Sequence, residues 1–238
     1  MIKFENVSKK YDDKIILDNV SFTVADSETL AIIGFSGTGK STVLRIISKL
    51  TEADSGNIIL SNDDIGMVFQ YSALFDSLNI YENVAFAYHE RPDLKKEYKE
   101  SQLKQIVAEN LRMVGLQNIE DLYPSELSGG MQKRVSFARA IITRPSIMLY
   151  DEPTAGLDPV SSTVIEDYIV RLKNELKTSS IVVTHQMSTI TRTADRVIML
   201  YQGKIVWEGT PQELLKADNP YTHQFVYATK EGPMTTSA

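Results

Sequence analysis

The chain opens on strand-like alternation. Lys3-Phe4-Glu5-Asn6-Val7 and Asp18-Asn19-Val20-Ser21-Phe22-Thr23-Val24 alternate polar with apolar residues around the turn-forming Tyr11-Asp12-Asp13-Lys14, the period of half-buried strands. Leu30-Ala31-Ile32-Ile33 is continuously apolar, as a strand covered on both faces is. Val43, Leu44, Ile46, Ile47 and Leu50 then recur at helical spacing. Asp54-Ser55-Gly56 reads as a turn, with short strands predicted over 57–60 and 65–70. From about residue 72 to 143 the pattern is helical, and Leu103, Ile106, Val107, Leu111 and Val114 form an amphipathic stripe. The charged run over 90–99 reads as a solvated face or loop. Strand runs resume at Ile147-Met148-Leu149-Tyr150, 180–184 and 196–200, with a helix marked by Val164, Ile165, Tyr168, Ile169, Leu172 and Leu176. The polar, small residues 230–238 read as a mobile tail. Alternating strands and helices predict an α/β fold. The first strands form an antiparallel subdomain, and the helical stretch over about 72–143 is an insert.

Between the apolar run and the first helix lies Gly34-Phe35-Ser36-Gly37-Thr38-Gly39-Lys40-Ser41-Thr42, which fits the phosphate-binding pattern G-x-x-x-x-G-K-[ST]. A glycine-rich loop between a strand and a helix start points backbone N–H groups at an anion, and the helix dipole favours that anion. Lys40 brings a positive charge toward the β- and γ-phosphates. The Ser41 hydroxyl is placed to ligate Mg²⁺.

Composition narrows the chemistry. With no cysteine among 238 residues, disulfides, thiolate catalysis and cysteine-ligated metals are excluded. A net charge of −6 argues against nucleic acid as the main partner. The first residues lack a signal-peptide core and no apolar run reaches transmembrane length. A cytosolic location is the expectation, with any membrane role reached through a partner.

Two further constellations sharpen the phosphate reading. Ile147-Met148-Leu149-Tyr150-Asp151-Glu152 is an apolar strand ending in two carboxylates. Asp151 is delivered toward Mg²⁺, and Glu152 can face an attacking water as general base. Taken alone, the same residues fit a strand with an acidic exit. In Leu127-Ser128-Gly129-Gly130-Met131-Gln132-Lys133-Arg134, Ser128 can cap a helix, and Gly129 and Gly130 leave its first N–H groups open to a phosphate. Taken alone, it also fits a plain capped helix.

Together these motifs resemble the ATP-binding-cassette (ABC) ATPase family over residues 1–225 or so. Residues 34–42 look like its Walker A, Gln70 like its Q-loop glutamine, 127–132 like its signature and Asp151-Glu152 like its Walker B. Ala155-Gly156-Leu157-Asp158 looks like its D-loop and His185 like its switch histidine. The resemblance implies a P-loop NTPase with a RecA-like core, and a nucleotide-binding domain over 1–226 followed by a tail over 227–238. It implies ATP and Mg²⁺ as cofactors. Tyr11 would stack under the adenine, with Gly34, Ser36, Gly37, Thr38, Gly39, Lys40, Ser41 and Thr42 on the nucleotide. Ser41, Gln70 and Asp151 would sit on the metal, and Glu152, His185, Gln70 and Lys40 would act in hydrolysis. It also implies a head-to-tail homodimer in which Ser128, Gly129, Gly130 and Asp158 meet the partner's nucleotide. Met131 stands where many members carry glutamine, so an amide contact to the opposite ribose is not expected. Residues 72–84, exposing Leu74, Phe75 and Leu78, are the expected surface for a membrane permease subunit.

Residues 128–135, 149–159 and the C-terminal stretch look most like ATPase subunits of Mla-type lipid transporters, which work with MCE-domain lipid-binding proteins. The implied place is the cytoplasmic face of the inner membrane, or the stromal face in a plastid. The alternatives are an importer ATPase for amino acids or metal ions, and a soluble ABC ATPase outside transport.

Overall fold

The computed structural model describes residues 1–91, 94 and 98–234. Part of the charged run over 90–99 and the last four residues of the expected tail lie outside the described residues. The strands are β1 (Ile2–Tyr11), β2 (Lys14–Val24), β3 (Thr29–Ile33), β4 (Ser55–Leu60), β5 (Ile65–Val68), β6 (Ile147–Asp151), β7 (Ser179–Val183), β8 (Arg196–Tyr201) and β9 (Lys204–Gly209). The α-helices are α1 (Lys40–Ile47), α2 (Ile80–Glu90), α3 (Glu100–Met113), α4 (Gly129–Ile141), α5 (Pro159–Leu176), α6 (Met187–Thr193), α7 (Pro211–Leu214) and α8 (Pro220–Tyr227).

Among the described residues β1, β2 and β4 form an antiparallel sheet in the order β2-β1-β4, and the other strands form a sheet in the order β5-β6-β7-β3-β8-β9. The larger sheet is parallel from β5 to β8; β9 pairs antiparallel to β8. The continuous apolar runs become β3, β6 and β7 at its centre, where every residue but Asp151 is buried. Because these strands are parallel, the loops leaving them gather along one edge, where α/β sheets bind ligands.

Three apolar layers hold the fold. Phe4 and Phe22 stack at 4.9 Å and join Leu30, Ile32, Leu44 and Ile47 between the two sheets. On the opposite face of the large sheet Tyr150 and Val182 join a cluster with Val107, Leu111, Phe137 and Ile169 of the helices, the Phe137 and Tyr150 rings lying 5.5 Å apart. A third cluster seats Met234 among Ala31, Ile33, Met199 and Leu214.

The first helix of the insert begins later than the periodicity suggests. Asn79 accepts the Glu82 amide at 2.8 Å, and the Glu82 carboxylate accepts the Asn79 amide at 2.9 Å, a capping box that starts α2 at Ile80. Residues 72–79 are irregular, pinned because the buried Asn83 side chain bonds Phe75 N–H and the Phe75 and Leu78 carbonyls. Of the three apolar residues expected to be exposed there, Phe75 is, while Leu74 and Leu78 are half-buried. Asp54-Ser55-Gly56 is also more extended than expected, since Ser55 already opens β4.

The expectation of a mobile tail from residue 230 fails as far as Met234. The Gln224 amide accepts from Met234 N–H at 2.8 Å and donates to its carbonyl at 2.9 Å. Tyr201 donates to Pro233 O at 3.1 Å. A buried glutamine thus pairs the chain much as a strand would, and Met234 is 2% exposed.

Candidate nucleotide site

The loop after β3 carries the phosphate motif. Gly34 (φ +142°) and Gly39 (φ +100°) need their missing Cβ atoms: one would lie 2.3 Å from Leu200 O, the other 2.9 Å from Ile16 O. Gly39 opens α1, and no side chain caps that helix, so its first N–H groups stay available to an anion. Lys40 is buried and folds back over the loop, donating to the Gly34 and Phe35 carbonyls, both at 2.8 Å. Burial holds its ammonium below the ordinary lysine value, with Glu152 and Asp151 pulling the other way. Thr38 donates to Phe35 O at 2.9 Å. The bulky Phe35 ring packs against the third apolar cluster.

The tips of β6 and α1 meet here: Ser41 Oγ donates to Asp151 Oδ1 at 3.0 Å. Burial raises the Asp151 carboxyl above its usual range, partly offset by the Ser41 bond. Glu152 sits at φ +45°, a strained backbone for a non-glycine residue and one that clusters at functional sites. Its N–H donates to Val183 O at 2.9 Å. Its Oε1 lies 2.9 Å from His185 Nδ1. Its Oε2 is buried without a hydrogen-bond partner, so one carboxylate oxygen is tied and the other free.

A cavity of about 1130 Å³ is lined by Gly34–Gly37, Gly39–Thr42, Gln70, Glu152 and His185. Its remaining wall includes Lys14, Ile16, Gln224, Phe225, Lys230 and Met234, which sequence reasoning did not place there. Tyr11 is outside the lining. It is 42% exposed, with Lys9 Nζ 5.4 Å from its ring centroid. Lys14 and Ile16, across the same turn, face the cavity instead.

Ser128, Gly129, Gly130 and Asp158 line a separate cavity of about 480 Å³ with Arg134 and Ser161. Ser128 Oγ accepts from Met131 N–H at 3.3 Å, opening α4. Asp158 accepts the Val160 and Ser161 amides at 3.0 Å, opening α5. The structure therefore joins the P-loop, Gln70, Asp151, Glu152 and His185, and keeps the second phosphate-type helix start apart from them.

One further charged group reaches the site's border. Lys133 of α4 is 4% exposed and donates to Phe69 O at 2.8 Å and Gln70 O at 2.7 Å. Burial lowers its pKa to about 8, against the pull of Asp151 and Glu152. No sequence signal marks it, because a lysine in a helical pattern reads as solvent-facing.

A glycine loop feeding an uncapped helix, beside a strand tip bearing two carboxylates, defines a P-loop nucleoside triphosphatase. The family described as "ABC transporter" matches residues 17–155, and the chain belongs to that family. It is an ATP-hydrolysing subunit of a transporter, working with ATP and Mg²⁺. It is 42% identical, over 98% of its own length and 75% of the relative's, to Protein TRIGALACTOSYLDIACYLGLYCEROL 3, chloroplastic, of Arabidopsis thaliana. It is 35% identical, over 98% of its length and 93% of the relative's, to the intermembrane phospholipid transport system ATP-binding protein MlaF of Haemophilus influenzae. Among solved structures, a dimeric post-hydrolysis state of the ATP-binding cassette MJ0796 bound to ADP and Pi aligns at TM-score 0.81 and 30% identity. That alignment covers 89% of this chain and 99% of that one.

The donor set suits the metal. A hydroxyl and a carboxylate already in contact, with the amide-bearing Gln70 on the same cavity, supply the hard oxygen ligands that Mg²⁺ prefers. Among the described residues no helix is long and apolar enough to cross a membrane.

Proposed function

We propose that this chain energises lipid transport, as one half of a homodimeric ATPase docked on separate membrane-embedded permease subunits. The reading takes residues 1–226 as the nucleotide-binding domain, with its helical insert over about 72–143. The observation that carries the dimer is the separation of the two phosphate-type sites: one cavity holds the P-loop and carboxylates, the other holds Ser128–Gly130 and Asp158. A head-to-tail pair brings each cavity of one protomer against the other kind in its mate. Two helix N-termini then share the charge of one triphosphate. The lipid assignment is supported by the names and coverage of the chloroplast and phospholipid-transport relatives. An MCE-type lipid-binding protein completes the assembly, which sits on the cytoplasmic face of the inner membrane or the stromal face of a plastid membrane.

Within the site, Lys40 and the loop amides hold the β- and γ-phosphates. Ser41, Asp151 and Gln70 would hold Mg²⁺, which would supply positive charge to offset that of the phosphates. Glu152, through its free Oε2, takes the proton of the attacking water, and His185 keeps the other oxygen turned away while facing the γ-phosphate. Tyr11, paired in the β1–β2 register with the cavity-lining Lys14, would stack under the adenine. Asp158 faces the partner at the shared boundary.

Purification of the tagged chain from native membranes tests this. Recovery of a permease together with an MCE-domain protein and phospholipid supports it. Recovery with an amino-acid or metal-ion permease overturns the lipid assignment.

A further inference from the structure

α4 reaches beyond its own layer to grip the loop leaving β5. Lys133 Nζ donates to the Phe69 and Gln70 carbonyls at 2.8 and 2.7 Å. Arg139 donates to Ala73 O at 2.7 Å and Ser72 O at 3.3 Å. Ser72 Oγ donates to Gln132 Oε1 at 3.3 Å. Side chains of a single helix thus hold the backbone at 69, 70, 72 and 73. Gln70 lines the P-loop cavity, whereas the start of the same helix, Ser128–Gly130, lines the other one. Lys133 lies five residues beyond Ser128, about 7.5 Å along a helix rising 1.5 Å per residue. An α-helix is stiff over that distance, so displacement at its N-terminus arrives at Lys133 nearly undiminished.

A buried ammonium is an expensive way to hold two carbonyls, and a methionine would fill the same space at no desolvation cost. The feature this cation adds is a directional tie between helix and loop. We propose that Lys133 is a positioning residue that couples the two nucleotide sites, by fixing Gln70 to the helix whose N-terminus meets the partner's nucleotide. The inference rests on the head-to-tail dimer proposed above. Occupation of the signature end of α4 by the partner's γ-phosphate draws Gln70 into place over the protomer's own nucleotide, and hydrolysis becomes cooperative in ATP.

The test compares Lys133→Met and Lys133→Arg with the parent chain. It reads ATPase rate against ATP concentration, and fluorescent ATP-analogue affinity at a dilution where the chain is monomeric. The parent is expected to show a Hill coefficient between 1 and the ceiling of 2 set by two sites. Lys133→Met is expected to fall to about 1, with kcat down roughly tenfold and monomer nucleotide affinity within about twofold; Lys133→Arg restores cooperativity. Should Lys133→Met fold poorly by circular dichroism, Arg139→Gln, which releases Ser72 and Ala73 only, is expected to give an intermediate Hill coefficient. A non-cooperative parent, parental kinetics in Lys133→Met, or equal losses of affinity and cooperativity in both Lys133 variants overturns the proposal. Light scattering of a Glu152→Gln chain with ATP separates the two readings. A monomer there removes the dimer and the coupling with it, whereas a dimer alongside parental Lys133→Met kinetics removes the coupling alone.

Discussion

Replacing Glu152 by glutamine isolates the group that would take the proton. The two side chains have nearly the same volume, and the amide can keep the 2.9 Å contact to His185 Nδ1. The second oxygen, buried and unpartnered in the parent, loses its basicity. A positioned general base contributes about 10² to 10⁴ in rate. At 1.36 kcal/mol per decade, that is about 2.7–5.4 kcal/mol of transition-state stabilisation. Glu152→Gln should therefore lower kcat by about 10² to 10⁴, while ATP affinity holds, since Lys40 and the loop amides are untouched. Steady-state phosphate release measures the first and fluorescence titration with an ATP analogue the second. A variant whose kcat stays within about fivefold of the parent would refute the assignment of Glu152 as base.

Other perturbations probe the scaffold. Leu111 is fully buried in the cluster where α3 packs on α2 and α4, so Leu111→Ala should cost about 2–5 kcal/mol in urea unfolding; a loss below about 1 kcal/mol would mean that the layer collapses around the void. Gln224→Ala strips both partners from the Met234 backbone, and hydrogen exchange at that amide should quicken by about tenfold or more, so retained protection would show that the apolar seat alone suffices. Lys9 and the Lys10 amide hold Asp54 below the usual carboxylate range. The folded pKa is depressed, so the stability this provides is present above the unfolded value near 3.8 and lost as pH falls through the folded one. Asp54→Asn should flatten the acid limb of a plot of melting temperature against pH, and an unchanged limb would assign it to other carboxylates.

Much of the architecture could be read from the chain because it rests on local period. Leu30 to Ile33 and Ile147 to Tyr150 are apolar on both faces, and they became the central strands β3 and β6. The phosphate loop and the two carboxylates at residues 151 and 152 were legible for a related reason: their chemistry requires contiguous residues. What the chain did not disclose depends on side-chain contacts that local period does not encode. Residues 72–79 share a helical period with α2, but a buried Asn83 draws their backbone into a loop. The last turns look polar and loose, yet one glutamine and one methionine fasten them beside β3. Tyr11, the aromatic expected at the base, stands just across the turn from Lys14 and Ile16, which line the cavity. Lys133 was invisible, since nothing in its neighbours along α4 announces that its ammonium is buried against Phe69 and Gln70.

Because the P-loop and the Ser128 helix start line different cavities of a single chain, damage to them should complement between alleles. A copy disabled at Lys40 and a copy disabled at Ser128 are each inert as pure pairs. When co-expressed, about half of the random pairs are mixed. Each mixed pair gathers both lesions into one compartment and leaves the other whole. Two broken genes would then yield a machine with a single firing chamber, slower than the parent because the copy that keeps Lys40 has lost the Ser128 end that would draw its own Gln70 into place.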